Sequence, residues 1–380
     1  MNERSIGWNK IKLGLLGDFS KGSGITKNDL VQDGLPCVRY AELYTKFDFI
    51  IPFCISFISE ETAKTAKPIQ KGDILFAGSG ETKEEIGKCA VYLNDCCAYA
   101  GGDNIIFRTK QAEPLYLSFY LNTLGRKQLN KLGQGDSIVH IHSDDLKNVI
   151  IPLPPLPEQE KIAEILGTWD TAIEKLTALI EQKKQLKKGL MQRLLTGKQR
   201  LPGFSAPWKK LKLGDFLEIK HGKNQKAIEC QNGIFPILAT GGEIGRTNTF
   251  IYDKPSVLIG RKGTINKPQY IETPFWTVDT LFWSKMKETN IAKFFYYLFQ
   301  MIKWEVWDEG STIPSLNAST IMSIKIKISD NVSEQKAIAD ILSKADEEIA
   351  LLTRKLSALK TQKTGLMQKL LTGQIRVKAA

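Results

Sequence analysis

The chain has 380 residues, 42% of them hydrophobic and 25% charged, a composition typical of a globular protein with two or three domains rather than a disordered or fibrous one. Lys and Arg outnumber Asp and Glu by 53 to 41, and this surplus favours polyanionic partners such as nucleic acid or an acidic membrane surface. There is no long apolar run, no secretory core and no Cys-x-x-Cys motif among six cysteines, so we expect a cytoplasmic protein with reduced thiols, no membrane association and no bound metal.

The first block, residues 1–157, is predicted to fold as a β-rich globular domain. Its apolar stretches alternate with Gly, Asp and Asn, as in the strand candidate Lys71–Ala77, which is the pattern of short strands joined by turns. A short aromatic helix is predicted at Leu115–Leu124. The block has 18 basic and 18 acidic residues, so charge alone does not mark it as a nucleic-acid-binding domain.

Residues 158–200 predict one long amphipathic helix. Apolar residues recur at alternating steps of four and three over about five heptads, which is typical of helices that pair in a coiled coil. Prolines just before the block and a Thr-Gly pair at its end, with Gly197, indicate where the helix begins and ends. The residues expected in the pairing seam are Ile162, Leu166, Trp169, Ile173, Leu176, Ile180, Leu190 and Leu194.

The second globular block, residues 201–333, has the same kind of pattern. It contains a strand candidate at Lys254–Gly260 and an aromatic helix candidate at Ile291–Trp307. The aromatic run by itself suggests a membrane or partner surface, but the matching run in the first block favours a core helix. The 17 basic and 12 acidic residues give this block a modest positive charge.

Residues 334–380 predict a second long helix, with Ser333 as its N-cap and Gly373 near its end. Three lysines, Lys183, Lys187 and Lys363, interrupt the two helical seams. Either their stems lie along the seam with the ammonium groups in water, or they contact a partner subunit. The seam of this helix is expected to contain Ile338, Leu342, Ile349, Leu352, Leu356, Leu359, Leu366 and Leu370.

The chain contains an internal repeat. Residues 158–200 and 334–376 align without a gap at an offset of 176, with 21 identities in 43 positions. A weaker match at an offset of 175 pairs Ile141 with Leu316, and both halves open with similar residues around Trp8 and Trp208. Residues 20–70 have no obvious counterpart in residues 217–253. Two similar helical segments are therefore combined with two different globular blocks. This pattern indicates one task performed on two different targets.

The two long helices are expected to pair with each other. A helix of roughly 38 residues is about 57 Å long, whereas the linker at residues 198–208 spans at most about 36 Å. The second domain therefore folds most easily at the far end of the first helix, whereas a domain wide enough to bridge the difference would permit a parallel pair. We expect an α+β protein with two globular β-rich domains separated by two antiparallel helices and related by a pseudo-twofold axis.

Enzyme signatures are weak. Asp73, Glu81 and Lys83 have the residue types of a metal-dependent nuclease, but such spacing arises often by chance in a Lys/Glu-rich loop. His140 and His142 could hold a metal, but no third ligand is near in the sequence. Gly80 and the Gly87-Lys88 pair are separated by six residues, whereas a phosphate-binding loop requires four. The sequence also lacks the Asn/Asp-Pro-Pro-Tyr/Phe loop of amino methyltransferases. The sequence offers no positive reason to expect catalysis.

Residues Ile151–Ala163 read IPLPPLPEQEKIA, and KGLMQRLLTG at 188–197 recurs as TGLMQKLLTG at 364–373. In this combination and order the chain resembles the specificity subunit of type I restriction–modification systems. The second copy departs from the pattern because Ile328–Ser333, ISDNVS, replaces the proline-rich entry to the helix.

The resemblance implies a non-catalytic subunit that binds double-stranded DNA. Each globular domain would read one half of a bipartite asymmetric target, and the helices would set the spacer and dock two modification subunits. S-adenosylmethionine would bind to those partners, with no cofactor in this chain, and a translocating restriction subunit is a further partner of such complexes. A coiled-coil scaffold whose domains bind proteins is the alternative interpretation.

Base edges and phosphates are contacted by cationic, amide and hydroxyl side chains on protruding loops. We regard Arg261-Lys-Gly-Thr as the best single loop, because adjacent cations and a glycine can bring the backbone close to a phosphate or a base edge. His140 and His142 are secondary candidates. In the first block the candidates are Arg39, Tyr40, Ser79, Thr82 and Lys83. In the second block they are Lys223, Asn224, Thr240, Arg246, Arg261, Lys262, Thr264 and Asn266.

Overall fold

The computed structural model describes residues 7–135, 138–287 and 289–378. The chain forms two compact units, and the division between them falls within both long helices. One unit extends to Lys175 and includes Leu356–Ala380, and the other is Leu176–Lys355. The mixture of strands and helices is the α+β class that the sequence predicts. The four block boundaries proposed from the sequence stay predictions, because the units group the chain differently.

The first unit is built mainly from short strands. They are β1 (Asn9–Lys12), β2 (Gly17–Lys21), β3 (Leu30–Val31), β4 (Leu35–Val38), β5 (Ile50–Ile51), β6 (Ser56–Ile58), β7 (Lys67–Ile69), β8 (Asp73–Ala77), β9 (Ser79–Gly80), β10 (Cys89–Tyr92), β11 (Ala98–Ala100), β12 (Asn104–Thr109), β13 (Val139–His140) and β14 (Ile150–Leu153). One five-stranded sheet has the order β2-β12-β8-β10-β5 and another has the order β3-β6-β4-β11-β7. In addition, β1 pairs with β14 and β9 pairs with β13.

Within the part of this unit that the structure describes, five short α-helices accompany these sheets. They are α1 (Glu42–Thr45), α2 (Glu60–Ala63), α3 (Pro114–Asn122), α4 (Arg126–Asn130) and α5 (Ser143–Leu146). Strand β8 and helix α3 lie where the sequence predicts them, and both are largely buried. The core between them also includes side chains of the two long helices, among them Leu166 and Leu370. The long helices are therefore part of the core of this unit.

The second unit has a smaller set of strands around a similar core. They are β15 (Lys209–Lys212), β16 (Leu217–Lys220), β17 (Phe235–Ala239), β18 (Gly242–Thr247), β19 (Ser256–Gly260), β20 (Gln269–Ile271), β21 (Trp276–Thr277), β22 (Leu281–Met286) and β23 (Lys325–Ile328), with helices α7 (Ala292–Met301) and α8 (Ala318–Ser323). The sheet orders are β16-β22-β19-β20 and β18-β17-β21, and β15 pairs with β23. The aromatic side chains of α7, such as Phe294 and Phe299, are buried, which supports the core-helix interpretation.

The two long helices are α6 (Leu156–Leu194) and α9 (Val332–Leu371). Helix α6 starts earlier than expected and includes Pro157 in its first turn, where the missing N–H of proline has no intrahelical role. Asn331, not Ser333, caps α9, because its side-chain oxygen accepts hydrogen bonds from the N–H groups of Ser333 and Glu334. Gly197 and Gly373 have φ values of 69° and 68°, the left-handed conformation expected just after a helix.

In the first unit, the two helix segments run antiparallel. Glu158, near the start of α6, pairs with Arg376 beyond the end of α9, and Asp170 further along α6 pairs with Lys363. Lys363 is 6% exposed, so its ammonium group is enclosed rather than in water. The interpretation that places this ammonium group in water is therefore wrong.

The second unit repeats this arrangement with the roles of the helices exchanged. Lys187 of α6 pairs with Asp346 of α9 at 2.6 Å, and Lys183 pairs with Glu348 at 2.6 Å. The pairs are again antiparallel. All three seam lysines therefore form ion pairs within the chain, a possibility that the heptad pattern does not reveal because it does not show which acidic residue is opposite.

The side chains predicted for the helix seam are all buried or half-buried. Leu186 and Leu351 of the same helices lie outside that seam and are 58% and 60% exposed. The contrast defines an inner and an outer face on each helix.

Candidate nucleic-acid interface

The first unit brings two of the predicted loops together. Tyr40 follows β4, and Gly80 and Glu81 follow β8, yet all three line one open cleft of about 350 Å³ together with Tyr44 and Ile138. Ser79 lies at the base of the second loop, and Thr82 and Lys83 are exposed on it. The structure thus places the candidates Tyr40, Ser79, Thr82 and Lys83 on one edge of the unit.

The loop that carries Thr82 and Lys83 has a defined shape. The carboxylate of Glu85 accepts hydrogen bonds from the N–H groups of Glu81 and Thr82. Arg126 of α4 donates to the carbonyl oxygens of Glu84 and Ile86 at 2.6 and 2.5 Å. Burial lowers the pKa of the Arg126 guanidinium. Sequence reasoning missed Arg126 because nothing local connects it to this loop.

Arg39 is held by a buried carboxylate. Glu42, which is 3% exposed, accepts hydrogen bonds from the Arg39 N–H at 3.1 Å and from its Nε at 3.2 Å. The hydroxyl of Ser56 donates to the same carboxylate. Within the described residues, the terminal guanidinium nitrogens of Arg39 have no hydrogen-bond partner and are available for a ligand.

A second cleft of the first unit, about 310 Å³, lies beside the same loop. It is lined by Lys21, Ser79, Asp103, His140 and His142 among others. Ser79 is 4% exposed, and its hydroxyl oxygen lies 2.9 Å from Nδ1 of His140. The β9–β13 pairing fixes this contact, because Ser79 and His140 are register partners. The sequence suggested the histidines only as secondary candidates.

Backbone hydrogen bonds define the frame of this cleft. The N–H of Gly78 donates to the carbonyl of Asp103 at 2.8 Å, and the N–H of Ile141 donates to the carbonyl of Gly78 at 3.0 Å. These two bonds hold β13 and the turn before β12 on either side of Gly78, the residue before Ser79. They position the side chains of Ser79 and His140 next to each other.

The second unit has the same frame. The N–H of Arg261 donates to the carbonyl of Thr280 at 2.8 Å, and the N–H of Leu316 donates to the carbonyl of Arg261 at 2.9 Å. The backbones of Lys262 and Ser315 pair in an antiparallel β-bridge, as those of Ser79 and His140 do in the first unit. The sequence match of Ile141 with Leu316 is therefore a match of position in space within each unit.

The glycines Gly22 and Gly222 extend the equivalence to another strand. A Cβ atom at Gly22 would lie 2.0 Å from the carbonyl oxygen of Gly101, and one at Gly222 would lie 1.9 Å from that of Val278. Only glycine allows these close backbone approaches. The equivalent positions that carry different side chains are Lys21 and His221, Ser79 and Lys262, and His140 and Ser315.

The loop after β19 is the most cationic part of this frame. Gly263 has φ 85° and open space around it, and its N–H donates to the carbonyl of Pro314. The guanidinium of Arg261 donates to the carbonyl of Asp279 at 3.3 Å. Thr264 follows on the same loop. Asn266 is less available, because its amide donates to Glu305 at 2.7 Å.

The other candidates of the second unit lie on neighbouring loops. The N–H of Lys223 donates to the carbonyl of Thr277, and the side-chain oxygen of Asn224 accepts from the N–H of Lys226. Thr240 lies at the turn between β17 and β18, and its carbonyl accepts from Gln269. Arg246 forms an ion pair with Glu243 at 2.9 Å on an exposed surface beside β17.

The structure does not assemble the nuclease-like set. Asp73 is fully buried at the start of β8, where both its carboxylate oxygens accept 2.7 Å hydrogen bonds from Arg108. Glu81 and Lys83 lie on the exposed loop beyond the other end of that strand. The Asp73 carboxylate is thus committed to an ion pair, and the three residues do not form a site.

The chain is similar to proteins of known class along most of its length. The family model described as "Type I restriction modification DNA specificity domain" matches residues 5–185 and 206–361. The type I restriction enzyme MjaVIII specificity subunit of Methanocaldococcus jannaschii is 28% identical over 352 residues, which cover 82% of this chain and 80% of that protein. The EcoKI specificity subunit of Escherichia coli is 29% identical over 173 residues, 45% of this chain and 37% of that one.

Solved structures show the same fold. The crystal structure of a type I restriction–modification S subunit from M. genitalium superimposes with a TM-score of 0.69 at 21% identity, covering 97% of both chains. A chain from a study of complex assembly in the type I system gives a TM-score of 0.54 at 18% identity and covers 99% of this chain and 100% of that one. Within the described residues, no helix has the length and apolar character needed to cross a bilayer.

Proposed function

This chain belongs to the type I restriction–modification DNA specificity family, whose domain it contains twice, and we propose that each copy reads a different half of one bipartite DNA target. The chain itself then performs no catalysis. It selects the sequence on which partner subunits act.

The observation that carries this proposal is the repeated frame with different side chains. Backbone hydrogen bonds of the same pattern hold Ser79 beside His140 in the first unit and Lys262 beside Ser315 in the second. Sequence-specific DNA recognition depends on which donors and acceptors meet the base edges. Equivalent frames with unlike donors therefore suit two unlike half-sites.

The loops that surround these frames are the proposed contact surfaces. Arg39, fixed by Glu42, and the pair Arg261 and Lys262 suit base edges, because arginine and lysine donate to guanine acceptors. The exposed Lys83 and Thr82 suit phosphates, which accept hydrogen bonds from such side chains whatever the DNA sequence. Tyr40, Lys223, Asn224, Thr240, Arg246, Thr264 and Asn266 complete the proposed contact set.

The long helices are proposed to dock two copies of one partner, a modification subunit, and to set the spacer between the half-sites. Their sequences are identical at 21 of 43 aligned positions, and this similarity suits two copies of the same partner. Leu186 and Leu351 are exposed on the outer helix faces, so these faces are open to a partner. Each helix, at 39 or 40 residues, is about 60 Å long.

The remaining parts of the proposal concern the complex as a whole. S-adenosylmethionine would bind to the modification subunits, which would methylate adenine, and a restriction subunit would be a further partner. The complex would work in the cytoplasm, where the six free cysteines of this chain stay reduced.

The experiment is co-expression with a type I modification subunit encoded beside this chain, followed by genome-wide mapping of methylated adenines. We expect one asymmetric motif of two short half-sites around a spacer of fixed length. A salt titration with a duplex carrying that motif should show steeply weaker binding as salt rises, by counterion release. Absence of a motif together with salt-independent protein binding would favour the scaffold alternative.

A further inference from the structure

We propose that the cleft between Ser79 and His140 recognises the guanine of one G·C pair in the half-site read by the first unit. The inference rests on the proposed function, because it names the base that one part of that surface selects. It is argued from the hydrogen-bonding groups that face the cleft.

The buried hydroxyl of Ser79 determines which nitrogen of His140 carries the proton. Among the described residues, its one hydrogen-bond partner is Nδ1 of His140, at 2.9 Å. If Nδ1 carried the proton, the hydroxyl hydrogen of Ser79 would remain buried without an acceptor, which is costly. The hydroxyl therefore donates to Nδ1, and we assign the proton of the neutral imidazole to Nε2.

Two side chains that line the cleft present free donors. Nε2 of His140 and Nζ of Lys21 both belong to exposed residues that line it, and neither has a hydrogen-bond partner within the described part of the chain. In the major groove guanine offers two acceptors, O6 and N7, whereas adenine offers one acceptor and one amino donor. Two donors that line one cleft therefore match guanine best.

Asp103 distinguishes a base from a phosphate as the ligand. It is exposed and lines the same cleft, so its carboxylate would repel a phosphate group. A carboxylate does accept a hydrogen bond from the N4 amino group of cytosine. Lys21, His140 and Asp103 together present the pattern that complements a G·C pair.

The equivalent positions of the second unit carry a different pattern. His221 replaces Lys21, Lys262 replaces Ser79, and Ser315 replaces His140. Because Lys262 occupies the position of the serine that orients His140, no histidine is held there in the same way. The recognition proposed for the first unit therefore should not apply to the second half-site.

The test uses the complete complex with its modification subunits. Methylation is measured on duplexes in which each base pair of the mapped target is changed in turn. For His140→Ala, the preference for guanine at one position of one half-site should fall by roughly tenfold to a hundredfold. Ser79→Ala should weaken the same preference, and every position of the other half-site should stay unchanged.

The matched control is Lys71→Ala. Lys71 is an exposed lysine of the same unit that pairs with Asp95 away from this cleft, so the variant should keep the full target preference. Thermal denaturation of each variant complex checks its folding. If His140→Ala keeps every preference, or loses preference evenly across both half-sites, or if neither half-site contains a guanine, the inference is wrong. A wild-type complex without a bipartite motif would instead refute the proposed function.

Discussion

Arg376 donates two hydrogen bonds of 2.7 Å to the carboxylate of Glu158. Glu158 lies in the first turn of α6 and Arg376 lies five residues beyond α9, so the bonds connect the start of one long helix to the segment after the other. Trp8 also donates to this carboxylate at 3.3 Å, and the guanidinium lies 5.4 Å from the centre of its ring.

The second unit contains the same constellation. Arg200 donates to Glu334 at 2.7 and 3.0 Å, and Trp208 donates to it at 3.1 Å. The repeated tryptophans that open the two halves of the sequence thus have one structural role. Each joins the first strand of its unit to the start of a helix.

We expect Arg376→Ala to destabilise the first unit, because it leaves a 5% exposed carboxylate without its cation. The pKa of Glu158 is lowered chiefly by the hydrogen bonds from Arg376. A lowered pKa in the folded state contributes stability above the ordinary glutamate value, and this contribution is lost as the pH falls through the folded-state pKa. Thermal melts from neutral pH to about pH 3 should therefore show a gap of a few degrees that closes in acid.

Glu334→Gln provides the comparison in the second unit. Its melting temperature should also lie below that of the wild type at neutral pH, and the gap should also close in acid. A gap between wild type and Arg376→Ala that widens as the pH falls would contradict the role given to Glu158.

We expect Asp170→Asn to be strongly destabilising, by about 3–5 kcal/mol, because it removes the anion beside a buried cation. The ammonium of Lys363 lies 4.3 Å from the ring centre of Phe49 and is enclosed. Burial raises the pKa of Asp170, so the ionised pair is costly to desolvate. The double variant Asp170→Leu, Lys363→Met should accordingly recover most of the loss, as measured by chemical denaturation.

Asp346→Asn is the matched control in the second unit. The side chain of Asp346 is 40% exposed and that of its partner Lys187 is 15% exposed, so water can replace part of the interaction. The loss should be smaller, about 1 kcal/mol. Equal losses at the two sites would contradict the explanation by burial.

We expect Arg126→Ala to loosen the loop that carries Thr82 and Lys83. The change leaves the carbonyl oxygens of Glu84 and Ile86 without their donor, and it should cost about 1–3 kcal/mol of stability. Amide hydrogen exchange should increase within residues 81–88 and stay unchanged in the loop around Gly263. If this loop helps to recognise one half-site, the Arg126→Ala complex should methylate targets with base-pair changes in that half-site. It should still reject changes in the other half-site.

A heptad inserted into the middle of both α6 and α9 should lengthen the spacer. Seven residues add about 10.5 Å to a helix, which corresponds to roughly three base pairs of DNA. Mapping of methylated adenines should return the same two half-sites with a longer gap. An unchanged distance between the half-sites would refute the proposal that the helices set the spacer. Insertion into one helix alone is the control, because it disrupts the pairing of α6 with α9 without lengthening both helices.

Local features of the chain could be predicted from the sequence. The ends of the long helices, the buried strand β8 and the buried aromatic helices follow from hydrophobic spacing, prolines and glycines, which act over a few residues. The repeat in the sequence also pairs Ile141 with Leu316, and these residues occupy equivalent positions in the two units. The exceptions were the two helix starts, because α6 begins at Leu156 and includes Pro157, and Asn331 rather than Ser333 caps α9.

Tertiary structure alone decided which distant side chains meet. Ser79 and His140 are separated by 61 positions, and Glu158 and Arg376 by 218. Their contacts depend on the register of strand pairs and on the direction in which two helices pack, and neither is encoded in a local pattern. For the same reason, the sequence showed that lysines interrupt the helix seam, but only the packed structure showed which carboxylates neutralise them.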